Sequence, residues 1–380
     1  MRLFIEIIRY LDFLNCVKII EVNRMICIYS PSENIWGGGQ IYIENLCRYM
    51  NDNGLPTVIA TSEPNSFNVP TIKMASVSSK QKRLLNSFKL AHKLKTSGTK
   101  VIVLNDLSSL WLAPIFKASG LKVVSLLHLY LQKKNEAGLG HDIPEYHLLR
   151  TSSYFCDLIF SVNKENLDVF PVKVEFVGNF ISPWFFGNTD KVKSYDLAVI
   201  SRLSKQKNIP LFIELISKLN NISPCPIKAL ILGRGEEKDL ILNKINDMKL
   251  QEVIDVQEWV DRKNLPKVYD SIKCFAITSY HEGFATTLLE AHARGVPAIS
   301  TKSAGFCAEF IEGFGTKTGL SFTPEDVDSL EFQSEVLKLI NESGEYYERC
   351  IDKAKLFSED KVLALITSKL KSLLDNSIKL

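Results

Sequence analysis

Ser279-Tyr-His-Glu-Gly-Phe-Ala-Thr-Thr-Leu-Leu-Glu-Ala-His-Ala-Arg-Gly-Val-Pro297 is the stretch that decides the fold. It sets Glu282 and Glu290 eight positions apart, the first before an expected helix and the second inside it. One apolar run, Cys274-Phe-Ala-Ile-Thr278, leads in, and another, Pro297-Ala-Ile-Ser300, leads out. Short runs of this kind between polar loops predict buried strands. Strand, loop, helix and strand form a unit that presents its loop at the carboxyl edge of a parallel sheet. In open α/β sheets, ligands bind at that edge. Thr286 and Thr287 stand where they can cap the helix, whose free amides and positive dipole end favour an anionic group such as a phosphate. Thr287-Leu-Leu-Glu290 also fits a capping box, in which Glu290 merely bonds back to Thr287.

The same alternation extends outward on both sides. Strands are expected at 25–30, 56–61, 100–104, 122–128, 157–161 and 173–177, with helices at 39–53, 80–97, 107–119 and 143–154. The pattern restarts with strands at 196–201, 227–232, 252–256, 274–278 and 297–300. Helices are expected there at 208–220, 236–248, 264–272, 286–294 and 304–312, and a last one at about 361–377. Alternation of this kind implies parallel sheets covered on both faces, and two such runs imply two doubly wound domains. A length of 380 residues agrees with two domains. The join falls near 178–195, where periodicity is lost.

Composition narrows the function classes. A net charge of +3 does not suit a nucleic-acid binder. Eight scattered cysteines without a C-x-x-C pair read as small buried hydrophobes in a reducing cytosol, and the six histidines lack metal-ligand spacing. No metal or other cofactor is therefore expected. Residues 1–24 are apolar but interrupted by Arg2, Glu6, Arg9 and Asp12, too charged for a signal-peptide core or a membrane span. They read either as an amphipathic helix or as an extension before a start at Met25, where the first strand begins.

A second constellation precedes the two glutamates. Arg202 and Lys207 flank the turn from the strand at 196–201 into the next helix. A forked guanidinium and a compact ammonium converging there suit a diphosphate, although a solvated basic loop has the same composition. Gly233-Arg-Gly235 follows the next strand, and glycine permits close approach to the backbone, a weak signal alone. In order and separation, R-x4-K upstream of E-x7-E resembles family 4 glycosyltransferases, the retaining, group 1 enzymes of GT-B architecture. The resemblance extends over about residues 25–380 and includes Ser303-Ala-Gly305 and the run from Glu309 to Leu320.

That resemblance implies an α/β GT-B fold of two Rossmann-like domains facing across a cleft. Residues 25–185 would bind the acceptor and 186–360 the nucleotide sugar, with 361–380 a terminal helix returning to the first domain. The implied reaction moves a sugar, with retention and without a metal, from a nucleotide-diphosphate donor to a glycan or polyisoprenyl-linked acceptor. Bacterial surface polysaccharide synthesis at the cytoplasmic side of the membrane is the implied setting. Arg202 and Lys207 would bind the diphosphate, Gly233 would lie by the nucleoside and Glu290 would take the ribose hydroxyls. Glu282 would face the donor sugar, either as a nucleophile or as a positioning and charge-stabilising carboxylate. Gly283 and the backbone amides from Phe284 through Thr286 and Thr287 to Leu288 would hold sugar hydroxyls and the β-phosphate. Trp259 stands where the family usually has Gly, in the loop that holds the base.

In the first half, Gly37, Gly38 and Gly39 follow the first strand and lack the G-x-G-x-x-G spacing of a dinucleotide site. They resemble the family's glycine loop that closes on donor and acceptor, with Gln40 where Glu is frequent. His128 ends an apolar strand; alone it reads as structural, and the resemblance makes it a contact to the donor sugar. His141, Asp142 and His147 are candidates for the acceptor pocket, and Asn179 for an interdomain hinge. Residues 64–105 hold eight Lys or Arg and no acidic residue. Within 80–95, Leu84, Leu85, Phe88, Ala91 and Leu94 make an apolar stripe that would rest on anionic lipid or cover the sheet. A non-catalytic GT-B subunit, a phosphorylase and a nucleotide-sugar epimerase are the competing readings.

Overall fold

The computed structural model describes residues 25–31, 38–75, 79–133, 140–187 and 192–375. Residues 1–24 and Gly37 lie outside them. Within them the chain divides into two compact units. The first comprises the chain to Val162, Asn166–Val177 and the chain from Leu363 onward; the second comprises Asn163–Glu165 and Gly178–Val362.

The first unit carries seven parallel strands: β1 (Ile26–Tyr29), β2 (Thr57–Thr61), β3 (Thr71–Lys73), β4 (Val101–Asn105), β5 (Lys122–Leu127), β6 (Leu158–Ser161) and β7 (Val174–Phe176). Their order is β3-β2-β1-β4-β5-β6-β7. Strand order reverses at β1, where Tyr29 is in register with Ala60 on one side and Leu104 on the other. β1, β2 and β4 are buried along their whole length, as continuous apolar strands in a covered parallel sheet must be. One core cluster joins Tyr29 of β1, Leu104 of β4, Leu127 of β5 and Phe116 of a covering helix.

The second unit has six parallel strands: β8 (Tyr195–Ile200), β9 (Ala229–Leu232), β10 (Ile254–Gln257), β11 (Ile272–Ile277), β12 (Ala298–Thr301) and β13 (Gly319–Phe322). Their order, β10-β9-β8-β11-β12-β13, reverses between β8 and β11. The loops after those two strands therefore diverge to opposite faces and leave a crevice at the switch point. The helix Ile209–Ile222 covers one face, burying Phe212, Ile213, Leu215, Ile216 and Leu219. From the loop after β11, Phe284 packs edge-on against Phe306, Phe310 and Phe357.

Several expected bounds shift. The helix expected at 107–119 is two short ones, Leu107–Leu110 and Ala113–Ala118, the second with a proline in its first turn. The division falls at Val177/Gly178 rather than 185/186. Residues 178–185 belong with the second unit because Ile181 pairs with the Phe357–Glu359 backbone and Phe185 O accepts from Arg294 Nη1 at 3.0 Å. The final helix, Glu359–Asp375, buries Leu363, Ile366, Leu370 and Leu374, and its residues from Leu363 belong with the first unit, where Lys369 pairs with Glu175 at 3.0 Å. No helix among the described residues is long and apolar enough to cross a membrane.

Candidate active site

The crevice of the second unit is built from the loops Ser201–Asn208 after β8 and Ser279–Ala285 after β11. Asn208 adopts φ 46°, ψ 49°, a left-handed turn that Asn tolerates, and it redirects the chain into the following helix. The two loops are laced together. Tyr280 N donates to Gln206 O at 2.9 Å, Gln206 Nε2 to His281 O at 3.0 Å and Thr278 Oγ1 to Lys207 O at 2.9 Å. Asn163 Nδ2 donates to Glu282 O at 3.1 Å, and Asn179 Nδ2 donates to Phe284 O. The Glu282 loop is thus held by backbone contacts along much of its length. Asn179, expected as a hinge, lies just past the division and braces this loop.

The carboxylate of Glu282 is 8% exposed. Its Oε1 accepts from Ser279 Oγ at 2.6 Å and from Lys207 Nζ at 2.5 Å. Lys207 is itself largely shielded. This ion pair links two residues expected to serve different parts of a donor. Lys207, Ser201, Ser279, Glu282, Ala285 and Thr287 line a small pocket at the ends of β8 and β11. Arg202 is exposed, and its guanidinium has no partner among the described residues. Beside Glu282, burial lowers the pKa of His281, opposed by the Glu282 charge and reinforced by that of Lys207.

The helix Thr286–Ala293 begins here, with two corrections. Its N-cap is Ala285, with no side-chain cap, so Thr286 and Thr287 occupy the first turn rather than capping it. Leu288 N already donates to Ala285 O at 3.1 Å, so its amide is not free for a ligand as expected. First-turn amides before it have no intrahelical acceptor. Gly283 sits in the loop, whereas the Phe284 ring is core and offers only its main chain.

Glu290 does not form the capping box. Its Oε2 accepts from Tyr269 Oη at 2.7 Å, and both groups are buried. Burial raises the Glu290 carboxyl to about 7, against the lowering pull of the Tyr269 hydrogen bond and the Arg262 charge.

Gly233 serves the loop rather than open space. A Cβ there would stand 1.8 Å from Ser201 O, and one at Gly235 would stand 2.1 Å from Leu203 O. The close approach that these glycines allow is thus to the Arg202 loop of the chain itself. Gly233→Ala is expected to destabilise the fold by about 3 kcal/mol or more, since backbone must move. Gly344→Ala, which meets nothing within 4 Å, is the control. Equal thermal midpoints for the two variants would refute this account.

In the first unit, Gly38 and Gly39 open the helix Gly38–Asp52. A Cβ on Gly39 would lie 3.5 Å from His128 Cδ2, so this helix start faces the histidine that follows β5. His128 Nε2 lies 2.9 Å from Asn105 Oδ1, and the ring packs edge-on against Tyr42 with centroids 5.1 Å apart. Asn105 Nδ2 points to Ser30 Oγ at 3.4 Å, which leaves Oδ1 to accept the Nε2 proton. Burial lowers the His128 pKa, partly offset by Asp106, so the ring is neutral at pH 7 and Nδ1 is an acceptor. His141 pairs with Glu145 at 3.3 Å, Asp142 precedes the helix Ile143–Ser152, and His147 lies within it.

Tyr269, Ser279 and Asn163 in the second unit, and Asn105 in the first, hold candidate residues of their own unit and belong to none of the expected motifs. Asn105 carries a signal, a polar residue closing an apolar strand. Tyr269 carries none, because its hydroxyl finds Glu290 only through the packing of two helices. At the end of β10, Trp259 is 61% exposed and Arg234 lies 5.7 Å from its ring centroid, an aromatic and cationic surface.

Comparison with known proteins places this architecture. The fold is GT-B: HepE of Anabaena, solved with UDP, superimposes with a TM-score of 0.75 over 92% of this chain and 100% of that one, at 15% identity. Residues 181–357 match the family described as glycosyl transferases group 1. The amylovoran biosynthesis glycosyltransferase AmsD of Erwinia amylovora is 32% identical over 153 residues, 38% of this chain and 42% of that protein. The UDP-Gal:alpha-D-GlcNAc-diphosphoundecaprenol alpha-1,3-galactosyltransferase of Escherichia coli is 30% identical over 118 residues, 30% of each. The chain spans less than half the length of these curated relatives.

Proposed function

We propose that this protein is a retaining glycosyltransferase of the family 4 type, moving a sugar from a nucleotide-diphosphate donor to a hydroxyl of a glycan or polyisoprenyl-linked acceptor. The observation that carries the reading is the convergence of Lys207, Glu282 and the start of the helix Thr286–Ala293 at one sheet switch point, with Arg202 exposed on the same loop as Lys207. Two cations and a helix N-terminus offset the charge of a leaving diphosphate, so the chemistry needs no metal or other cofactor. Glu290 receives the ribose diol through its remaining acceptor capacity.

In the proposed reaction the leaving phosphate takes the proton of the acceptor hydroxyl on the face it vacates. The anomeric carbon passes through an oxocarbenium-like state, and Glu282 stabilises its charge. His128, neutral and held by Asn105, contributes a hydrogen bond to the donor sugar. Similarity to proteins named for amylovoran and diphosphoundecaprenol chemistry supports a role in surface polysaccharide synthesis at the cytoplasmic side of the membrane.

A thermal-shift panel of UDP, GDP, ADP and CMP with their sugar conjugates tests the donor site. One nucleotide series is expected to raise the midpoint, by RT ln(1 + [L]/Kd) in stability, and Arg202→Ala to lose most of that shift. A well-folded wild type that responds to none of them would favour a non-catalytic subunit.

A further inference from the structure

The helix Lys80–Thr96 has two apolar faces, and the sheet uses only one. Ser87, Leu90, Ala91 and Leu94 are buried against the first unit. Leu84, Leu85 and Phe88 point elsewhere, at 37%, 61% and 54% exposure. The five-residue stripe expected from sequence is therefore split: Ala91 and Leu94 are core, and the other three are at the surface.

The surroundings of the exposed trio are cationic. Lys82, Lys89, Lys93 and Lys95 are all exposed on this helix, which contains no acidic residue. Lys80 reaches Glu145 at 3.7 Å, bringing the helix Ile143–Ser152 alongside, where Leu148 is also exposed. Arg83 is turned inward, donating to Ser109 Oγ at 3.0 Å, and so helps fix which face looks out. Large apolar side chains flanked by lysines are what a helix lying in a bilayer interface requires. Leu and Phe enter the acyl boundary while the lysines meet anionic headgroups. A folded protein partner would need acidic complementarity at every flank and a pocket for Phe88. A fluid anionic bilayer needs neither.

We infer that the Leu84–Leu85–Phe88 face of this helix docks the protein peripherally on an anionic lipid bilayer. The inference does not depend on the glycosyltransferase reading, since it rests on a surface of the first unit alone.

Sedimentation of the full-length chain with vesicles tests it. Wild type is expected to sediment with phosphatidylcholine–phosphatidylglycerol vesicles, not with phosphatidylcholine alone, and to be released by added salt. The double variant Leu85→Ser, Phe88→Ser is expected to partition at least about tenfold more weakly, because each exposed apolar side chain loses its transfer into lipid. Its thermal midpoint should match wild type, since both side chains already face water. Lys82→Glu with Lys89→Glu should abolish the response to phosphatidylglycerol. Wild type that stays in solution with anionic vesicles would overturn the inference, as would a double serine variant that sediments like wild type. A chain that ignores vesicles but dimerises, with the double serine variant monomeric, would assign this face to a second copy instead and equally overturn it.

Discussion

Glu282→Gln is expected to turn over at about a hundredth to a thousandth of the wild-type rate while binding nucleotide sugar at least as tightly. Both halves of that expectation follow from the ion pair. Glu282 Oε1 holds Lys207 Nζ at 2.5 Å and Ser279 Oγ at 2.6 Å, so a diphosphate arriving at Lys207 must compete with the carboxylate. Glutamine keeps the shape and removes the competitor. It also removes the negative charge that faces the developing positive charge at the anomeric carbon, and that loss falls on kcat. The ligand-free variant should melt earlier than wild type, because it leaves a largely shielded ammonium without its counterion. Nucleotide should recover more midpoint in the variant than in wild type, since the diphosphate pairs Lys207 again. A kcat within tenfold of wild type would remove Glu282 from the chemistry. Azide rescue of Glu282→Ala, yielding a glycosyl azide, would reassign it as a nucleophile.

The parts of this site that were readable in sequence are those whose chemistry is local. β11 and β12 are short, buried and largely apolar, and the loop between them carries its polar residues in one stretch, so the strand–loop–helix–strand unit is legible directly. The ion pair was not readable: Lys207 and Glu282 are 75 positions apart and meet only because β8 and β11 are neighbours in the sheet. Two edge strands escaped for another reason. β3 is three partly exposed residues, Thr71-Ile-Lys73, and β13 begins at a glycine, so neither has the length or the burial that gives an apolar run. Gly319 belongs in β13 nonetheless, because a Cβ there would stand 1.8 Å from Ala298 O. The helix Leu330–Asn341 carries a legible signal. Phe332, Val336, Leu339 and Ile340 recur at helical spacing after the capping Ser329. Gly233 has a further constraint that only the fold shows. Its close backbone approach includes the backbone of Ser201, whose carbonyl oxygen a Cβ would meet at 1.8 Å.

Nucleotide-sugar affinity is expected to rise roughly tenfold between pH 6 and pH 8, and Glu290→Gln to bind more weakly with that rise abolished. Glu290 is 8% exposed, and burial raises its carboxyl to about 7. A ribose diol donates two hydroxyl hydrogens, which a carboxylate accepts and a protonated acid accepts less well. The binding-competent fraction therefore grows with pH up to the folded pKa and levels off above it. The sign for stability is opposite. The folded pKa lies above the unfolded value, so the folded state holds more protons between them, and the contribution of Glu290 to stability is full below the unfolded pKa and is lost as pH rises through about 7. Ligand-free protein should thus be less stable at pH 8 than at pH 6 by the Glu290 contribution, while bound protein recovers part of it. A nucleotide sugar is the right ligand for this measurement, because its esterified diphosphate has no group titrating near neutrality, whereas a free nucleoside diphosphate does. Tyr269→Phe separates the hydrogen bond from burial. It deletes the donor to Oε2, removes a lowering influence and should move the affinity rise to higher pH. A pH profile that is flat in wild type, or one that persists unchanged in Glu290→Gln, would show that the ribose is not held at Glu290.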